Sequence, residues 1–189
     1  MARLVAERAD ALPALAEAFR EHGFEGASLS LLTRHTGLSK GSLYHFFPGG
    51  KAEMAEAVLA HIDQWFETHI FIPLEQENDA RAALDHMIAS VSGYFRSGRR
   101  ICLVGAFALN ETRDRFAKAI RAYFTRWIKA LSQALQRGGL DRASADRAAE
   151  DAMFRIQGGL VMARAQDDPA LFSRALAHLH DDLTRMVGT

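Results

Sequence analysis

Residues 39–47, SKGSLYHFF, crowd hydrogen-bonding groups onto barely two helical turns: Ser39, Lys40, Gly41, Ser42, Tyr44 and His45, anchored by Leu43, Phe46 and Phe47. Gly41 and Ser42 are small enough to let the backbone approach base edges. Lys40 can donate to a base edge or a phosphate, and Tyr44 and His45 reach the sugar-phosphate edge. Lys51 follows in the PGGK block, where the start of the next helix already favours phosphate. Ser28, which opens the preceding helix, completes the candidate set. The chemistry is that of contact with double-stranded DNA. The bland alternative is a small helical bundle whose third helix is polar.

The elements that must position these residues are helices. The chain shows no run of alternating β-branched residues and no Asn-Gly hairpin signal, so the expected class is all-α. Asp10 is expected to cap a first helix that admits Pro13 and stops at Gly23. Ser28 opens a second, short helix ended by Gly37, and Ser39 caps a third, closed by Pro48-Gly49-Gly50. Two short helices joined by Thr36-Gly37-Leu38 form a helix-turn-helix pattern, whose second helix enters the major groove by its N-terminal residues. A long helix is expected from Lys51 to Pro73, then one over 79–97, a short one near ICLVGAFAL and a long one stopped by Gly138-Gly139. The last two begin at Ser144 and at Asp168-Pro169. This divides the chain into an N-terminal three-helix domain, 1–50, and a C-terminal helical domain, 51–189.

The larger half carries two further sets of residues. Trp65, Phe66, His69, Phe95, Cys102, Phe107, Phe124, Trp127, Met153, Phe154 and Gln157 fall where they can line an apolar cavity with polar handles, although aromatic residues also dominate ordinary cores. His69 and Gln157 are the telling pair, because burying them without partners is costly; a ligand or a backbone group can satisfy them. Ile156, Gly159, Leu160 and Ala163 share one face of a helix, and Phe172, Leu176, Leu179 and Leu183 one stripe of the next. That pattern suits a four-helix bundle across a two-fold axis or an intrachain pair.

Composition narrows the class. The 189 residues carry 23 basic and 23 acidic groups, so a DNA-binding face must be local; residues 1–51 hold one net positive charge. The lone cysteine, Cys102, allows no intrachain disulfide. No signal-peptide core and no apolar run of about 20 residues is present, so a cytoplasmic protein without membrane contact is expected. Gly49-Gly50-Lys51 fails the phosphate-loop signature twice, with His45 at the leading glycine's place and Ala52 after the lysine. HLHDD at 178–182 reads as a solvated helix edge. No enzyme activity, cofactor or metal is expected.

Residues 23–58 resemble the DNA-binding domain of the TetR family of transcriptional regulators. The resemblance rests on Gly23-Phe24, Gly26-Ala27-Ser28, Thr36-Gly37-Leu38-Ser39-Lys40-Gly41-Ser42-Leu43-Tyr44 and Phe47-Pro48. The 47–51 block and CLVGAFAL lean towards the LmrA and YxaF branch, whose effectors include flavonoids and drug-like molecules. The resemblance implies a homodimer on a palindromic operator, with a C-terminal domain that binds a small-molecule effector and favours the two-fold bundle over the intrachain pair. It also implies an alternative, electrophile sensing through Cys102 with Arg99 and Arg100 favouring a thiolate, against which stands the reading of Cys102 as a small buried hydrophobe. One departure is the short, nearly neutral N-terminus, where many relatives carry a basic arm.

Overall fold

The computed structural model describes residues 7–109 and 112–188, so the extreme N-terminal stretch lies largely outside the described residues. All the regular structure described is helical. Helix α1 is Arg8–Gly26, and its N-cap is Glu7 rather than Asp10. The Asp10 carboxylate instead reaches back to accept the Glu7 N–H at 3.2 Å, one turn inside the helix. Gly23 kinks α1 instead of ending it: its φ of 68° breaks the helix, which then resumes long enough to turn Phe24 inward.

Helix α2, Leu29–Thr36, and helix α3, Lys40–Phe46, start where the sequence places them. Ser28 Oγ accepts the Leu31 N–H at 3.3 Å, and Ser39 Oγ accepts the Ser42 N–H at 3.1 Å. Between them Gly37 takes φ 71°, the left-handed conformation that side chains with a Cβ resist.

Helix α4, Gly50–Phe66, does not run to a stop at Pro73. A wide π turn, Glu67–Phe71, leads directly into α5, Ile72–Gln76. Pro73 has no N–H to offer the carbonyl four residues back, that of His69. His86 Nε2 donates to that oxygen instead, at 3.1 Å, so the proline is absorbed without an orphan acceptor.

Helix α6, Ala80–Tyr94, is capped by Asp79 and ends before the expected 97, because Arg96 and Ser97 adopt φ near 50° (50° and 51°). Then come α7, Leu103–Ala108, the short α8, Thr112–Arg115, and the long α9, Ala117–Arg137. Helix α10, Arg142–Ala165, is capped by Asp141, whose carboxylate accepts the Ser144 N–H at 3.0 Å; Ser144, the expected start, lies inside the first turn. Helix α11, Pro169–Met186, begins with Asp168 and Pro169 as N-cap and N1.

Packing groups these helices into two units. One holds the residues up to Gln64 with Leu103–Ile120, and the other holds Trp65–Cys102 with the residues from Arg121 onward. A division at 50 and 51 falls at the start of α4, whereas packing carries most of α4, all of α7 and all of α8 into the first unit. The cause is a non-local aromatic cluster: Phe107 and Phe116 stack 5.6 Å apart, and Phe116 meets Phe24 edge-on at 5.4 Å.

In the second unit α10 and α11 pack on each other. Ile156, Leu160 and Ala163 are buried against Phe172, Leu176, Leu179 and Leu183 within a single chain. Gly159 permits the approach, since a Cβ there would lie 3.3 Å from the Phe172 ring and 3.4 Å from Ala175. Arg155 on α10 ties the pair through Asp182 on α11 at 2.5 Å, and is itself held by Asp151 of its own helix at 3.0 Å.

Candidate nucleic-acid interface

The turn between α2 and α3 is locked by side chains as well as by Gly37. The buried Thr36 hydroxyl donates to the Leu32 carbonyl at 2.8 Å and accepts the Leu38 N–H at 3.2 Å. Leu43 on α3 and Phe47 at its C-cap are fully buried and Phe46 is half-buried, so the helix is held by its apolar side. Ser39, Lys40, Gly41, Tyr44 and His45 are exposed on it, with Ser42 half-buried and Ser28 exposed at the head of α2. Tyr44 is 45% exposed. The Ser39 and Ser42 hydroxyls lie 2.9 Å apart, so this pair caps the helix while keeping lone pairs outward.

Beside this face lies a shallow, open depression lined by Ser30, Thr33, Arg34, Gly37, Leu38, Ser39 and Lys40. Its two cations, Arg34 and Lys40, are exposed, and neither has an ion-pair partner among the described residues. Ser30, Thr33 and Arg34 are absent from the sequence-derived set. Their signal was the i, i+3, i+4 spacing on the polar side of α2, which places them on one surface.

Lys51 is placed differently from the phosphate contact expected of it. Its ammonium donates to the Glu25 carbonyl at 3.2 Å and sits 4.6 Å over the Phe24 ring. The start of α4 is already served by an anion of its own. Glu53 accepts the Gly49 N–H at 2.7 Å and pairs with Arg8 at 2.8 Å. Lys51 is therefore a tie between α4 and the last turn of α1.

The profile described as "Bacterial regulatory proteins, tetR family" matches residues 11–58. That described as "Transcriptional regulator LmrA/YxaF-like, C-terminal domain" matches residues 80–178, more than half of the chain. This chain belongs to the TetR family of transcriptional regulators. The TetR-family chain is 23% identical over 155 residues to the HTH-type transcriptional regulator LmrA of Bacillus subtilis (strain 168), covering 80% of this chain and 82% of LmrA. An HTH-type transcriptional regulator of Mycobacterium tuberculosis (strain ATCC 25618 / H37Rv) is 29% identical over 159 residues, 79% of each chain. A TetR transcriptional regulator from Legionella pneumophila shares the fold, with TM-score 0.80 at 17% identity over 95% of this chain and 96% of that one. DNA is thus a partner of this regulator, and α2–α3 is its helix-turn-helix.

The second unit of the TetR-family chain brings together part of the expected cavity set. Phe66 is ringed by Tyr94 at 4.8 Å, Tyr123 at 4.9 Å, Trp127 at 5.1 Å and Phe95 at 6.2 Å. Tyr94 and Tyr123 were missed, although Tyr123 stands one turn before Trp127 on the same stripe. Trp65, Phe124 and Gln157 are half-buried and Met153 is buried. Phe107 belongs to the first unit's core, and Phe154 is 71% exposed, so neither joins this set. His69 is exposed rather than buried; its Nδ1 donates to the Trp65 carbonyl at 2.8 Å and its ring stacks on Trp65. Two buried donors, Trp127 Nε1 and Gln157 Nε2, have no hydrogen-bond partner among the described residues. Cys102 is 7% exposed, and Arg100 is engaged by the Tyr94 carbonyl at 3.0 Å, which favours the buried-hydrophobe reading of the cysteine.

The eight residues expected at a subunit interface are likewise corrected. Ile156, Leu160, Ala163, Phe172, Leu176, Leu179 and Leu183 are buried inside the chain, and Gly159 seats Phe172 of the same chain. The opposite side of α10 is the one left apolar and open: Phe154 is 71%, Val161 57% and Met162 47% exposed, with Gly158 exposed between them.

Proposed function

We propose that this regulator is a cytoplasmic repressor that binds a palindromic operator as a homodimer and leaves it when a small apolar or aromatic effector binds the second unit. The observation that supports the reading is the α2–α3 face, where two exposed cations without an ion-pair partner among the described residues and a row of small polar groups border a shallow, open depression. Duplex DNA offers the matching phosphates and base edges.

Dimerisation is assigned to the Phe154, Gly158, Val161 and Met162 side of α10. A contiguous exposed apolar stripe marks an interaction surface, and a two-fold axis through it makes the contact self-complementary. The effector site is assigned to the aromatic cluster around Phe66. Trp127 Nε1 and Gln157 Nε2 would then donate to carbonyl or phenolic oxygens of a flat ligand, removing the cost of two unsatisfied buried donors. Helix α4 carries residues of both units, and its displacement by ligand would move the paired α3 helices off the spacing of one DNA turn, about 34–36 Å.

A mobility-shift titration on the DNA flanking the protein's own gene tests this, repeated with a panel of aromatic effectors. The reading expects a salt-sensitive specific shift that at least one effector abolishes. A specific shift that no effector of this class alters would remove the ligand-release part.

A further inference from the structure

Glu21 and His22, near the end of α1, and His35, in the last turn of α2, place one carboxylate between two imidazoles. Glu21 Oε1 is 3.7 Å from His22 Nε2, and Glu21 Oε2 is 3.6 Å from His35 Nε2. Both separations are too long for hydrogen bonds, so the carboxylate is nearly equidistant from two nitrogens and bonded to neither. The two rings meet edge to face with centroids 5.5 Å apart. The three potential ligand atoms all lie within 4.8 Å of one another.

We propose that Glu21, His22 and His35 form a binding site for a divalent transition metal of the zinc class. Zinc takes imidazole nitrogen and carboxylate oxygen at about 2.0–2.2 Å, which sets tetrahedral ligand atoms roughly 3.4 Å from one another. Each imidazole nitrogen is within a few tenths of an ångström of that value from one of the two Glu21 oxygens, and a set with a single oxygen fits within 4.8 Å. Small rotations of the two imidazoles, both partly exposed, close the nitrogen-to-nitrogen distance, and the Glu21 side chain, 63% exposed, follows with one oxygen. Two nitrogens and one oxygen suit zinc, copper or nickel and disfavour magnesium or calcium, which prefer oxygen alone. Water completes the coordination, since His22 and His35 remain accessible at 25% and 23% of their side-chain surface. A metal here would staple α1 to the turn of α2 that leads into Gly37. The site is independent of the effector and dimer assignments.

The test titrates zinc alone into the full chain against a colorimetric chelator and follows the melting midpoint with and without zinc. Wild-type protein is expected to take one equivalent per chain and to melt higher when loaded. Glu21→Gln, His22→Gln and His35→Gln should each weaken that equivalent by at least about tenfold, since even outer-shell losses cost that much. His180→Gln, which removes an imidazole paired with Asp85 elsewhere, should leave it unchanged. Absence of a stoichiometric equivalent in wild type, full retention in the three variants, or equal weakening by His180→Gln would each overturn the proposal. Because Glu21 is so exposed, Glu21→Gln stays informative even if a histidine variant unfolds.

Discussion

On the proposed reading, Tyr44 serves DNA contact and not the fold. Its ring stands outside the core, so nothing buried depends on it. Tyr44→Ala should weaken operator binding about tenfold, the worth of roughly one hydrogen bond, while melting and oligomeric state stay unchanged. Parallel mobility-shift and thermal melts check this. The two lysines separate more sharply. Lys40 is exposed beside the helix-turn-helix depression and has no ion-pair partner among the described residues, so Lys40→Ala should reduce the salt slope of binding by about one unit. Lys51 is engaged by Glu25 and the Phe24 ring, so Lys51→Ala should leave that slope alone and lower stability by about 1 kcal/mol. Binding isotherms over a range of salt, with denaturant melts, distinguish the two. Lysine identity alone made these residues look alike in the sequence; only the neighbouring carbonyl and ring tell them apart.

At the scale of elements, the sequence was most legible where a local signal decides the structure. Ser28, Gly37, Ser39, Asp79 and Asp168 each sit where capping and turn chemistry demand, and the helix-turn-helix follows from them. Legibility failed where a distant partner decides. Pro73 looked like a stop because its effect on the His69 carbonyl is visible, while the compensating His86 is not. Phe107 looked like part of the cavity set because nothing in its own helix points to Phe24 and Phe116. Gly159 and its neighbours marked close helix packing correctly, but the partner helix is α11 of the same chain.

That α10–α11 pair also carries a pH response. The hydrogen bond from Arg155 holds the Asp182 carboxyl below its ordinary value of 3.8, helped by the charges of Arg155, Arg185 and His178. A carboxyl whose acidity is raised by folding contributes stability above its unfolded value and loses it as pH falls through the folded one. Acid melts below about pH 4 should therefore show a steeper loss for wild type than for Arg155→Ala, whose Asp182 lacks its main partner. Parallel acid profiles would contradict this clamp.

For the whole molecule, the apolar stripe on α10 predicts the assembly. Phe154, Val161 and Met162 are exposed in the single chain, so Val161→Glu should not disturb its core. Placed at a two-fold contact, the glutamate would face its own copy and a desolvated apolar surface, which disfavours association by several kcal/mol. Sedimentation should show wild-type dimers and Val161→Glu monomers with unchanged helix content, and the monomers should bind operator far more weakly. A dimeric Val161→Glu protein would move the interface elsewhere.

The most direct measurement of the account is hydroxyl-radical footprinting of the wild-type protein on the DNA flanking its gene. The account requires protection of two inversely repeated half-sites on one face of the duplex, about one helical turn apart or a multiple of it. Lys40→Ala should fade both half-sites together. A single unrepeated patch, or no protected sequence at protein concentrations where the chain is folded and dimeric, would contradict paired reading by α3.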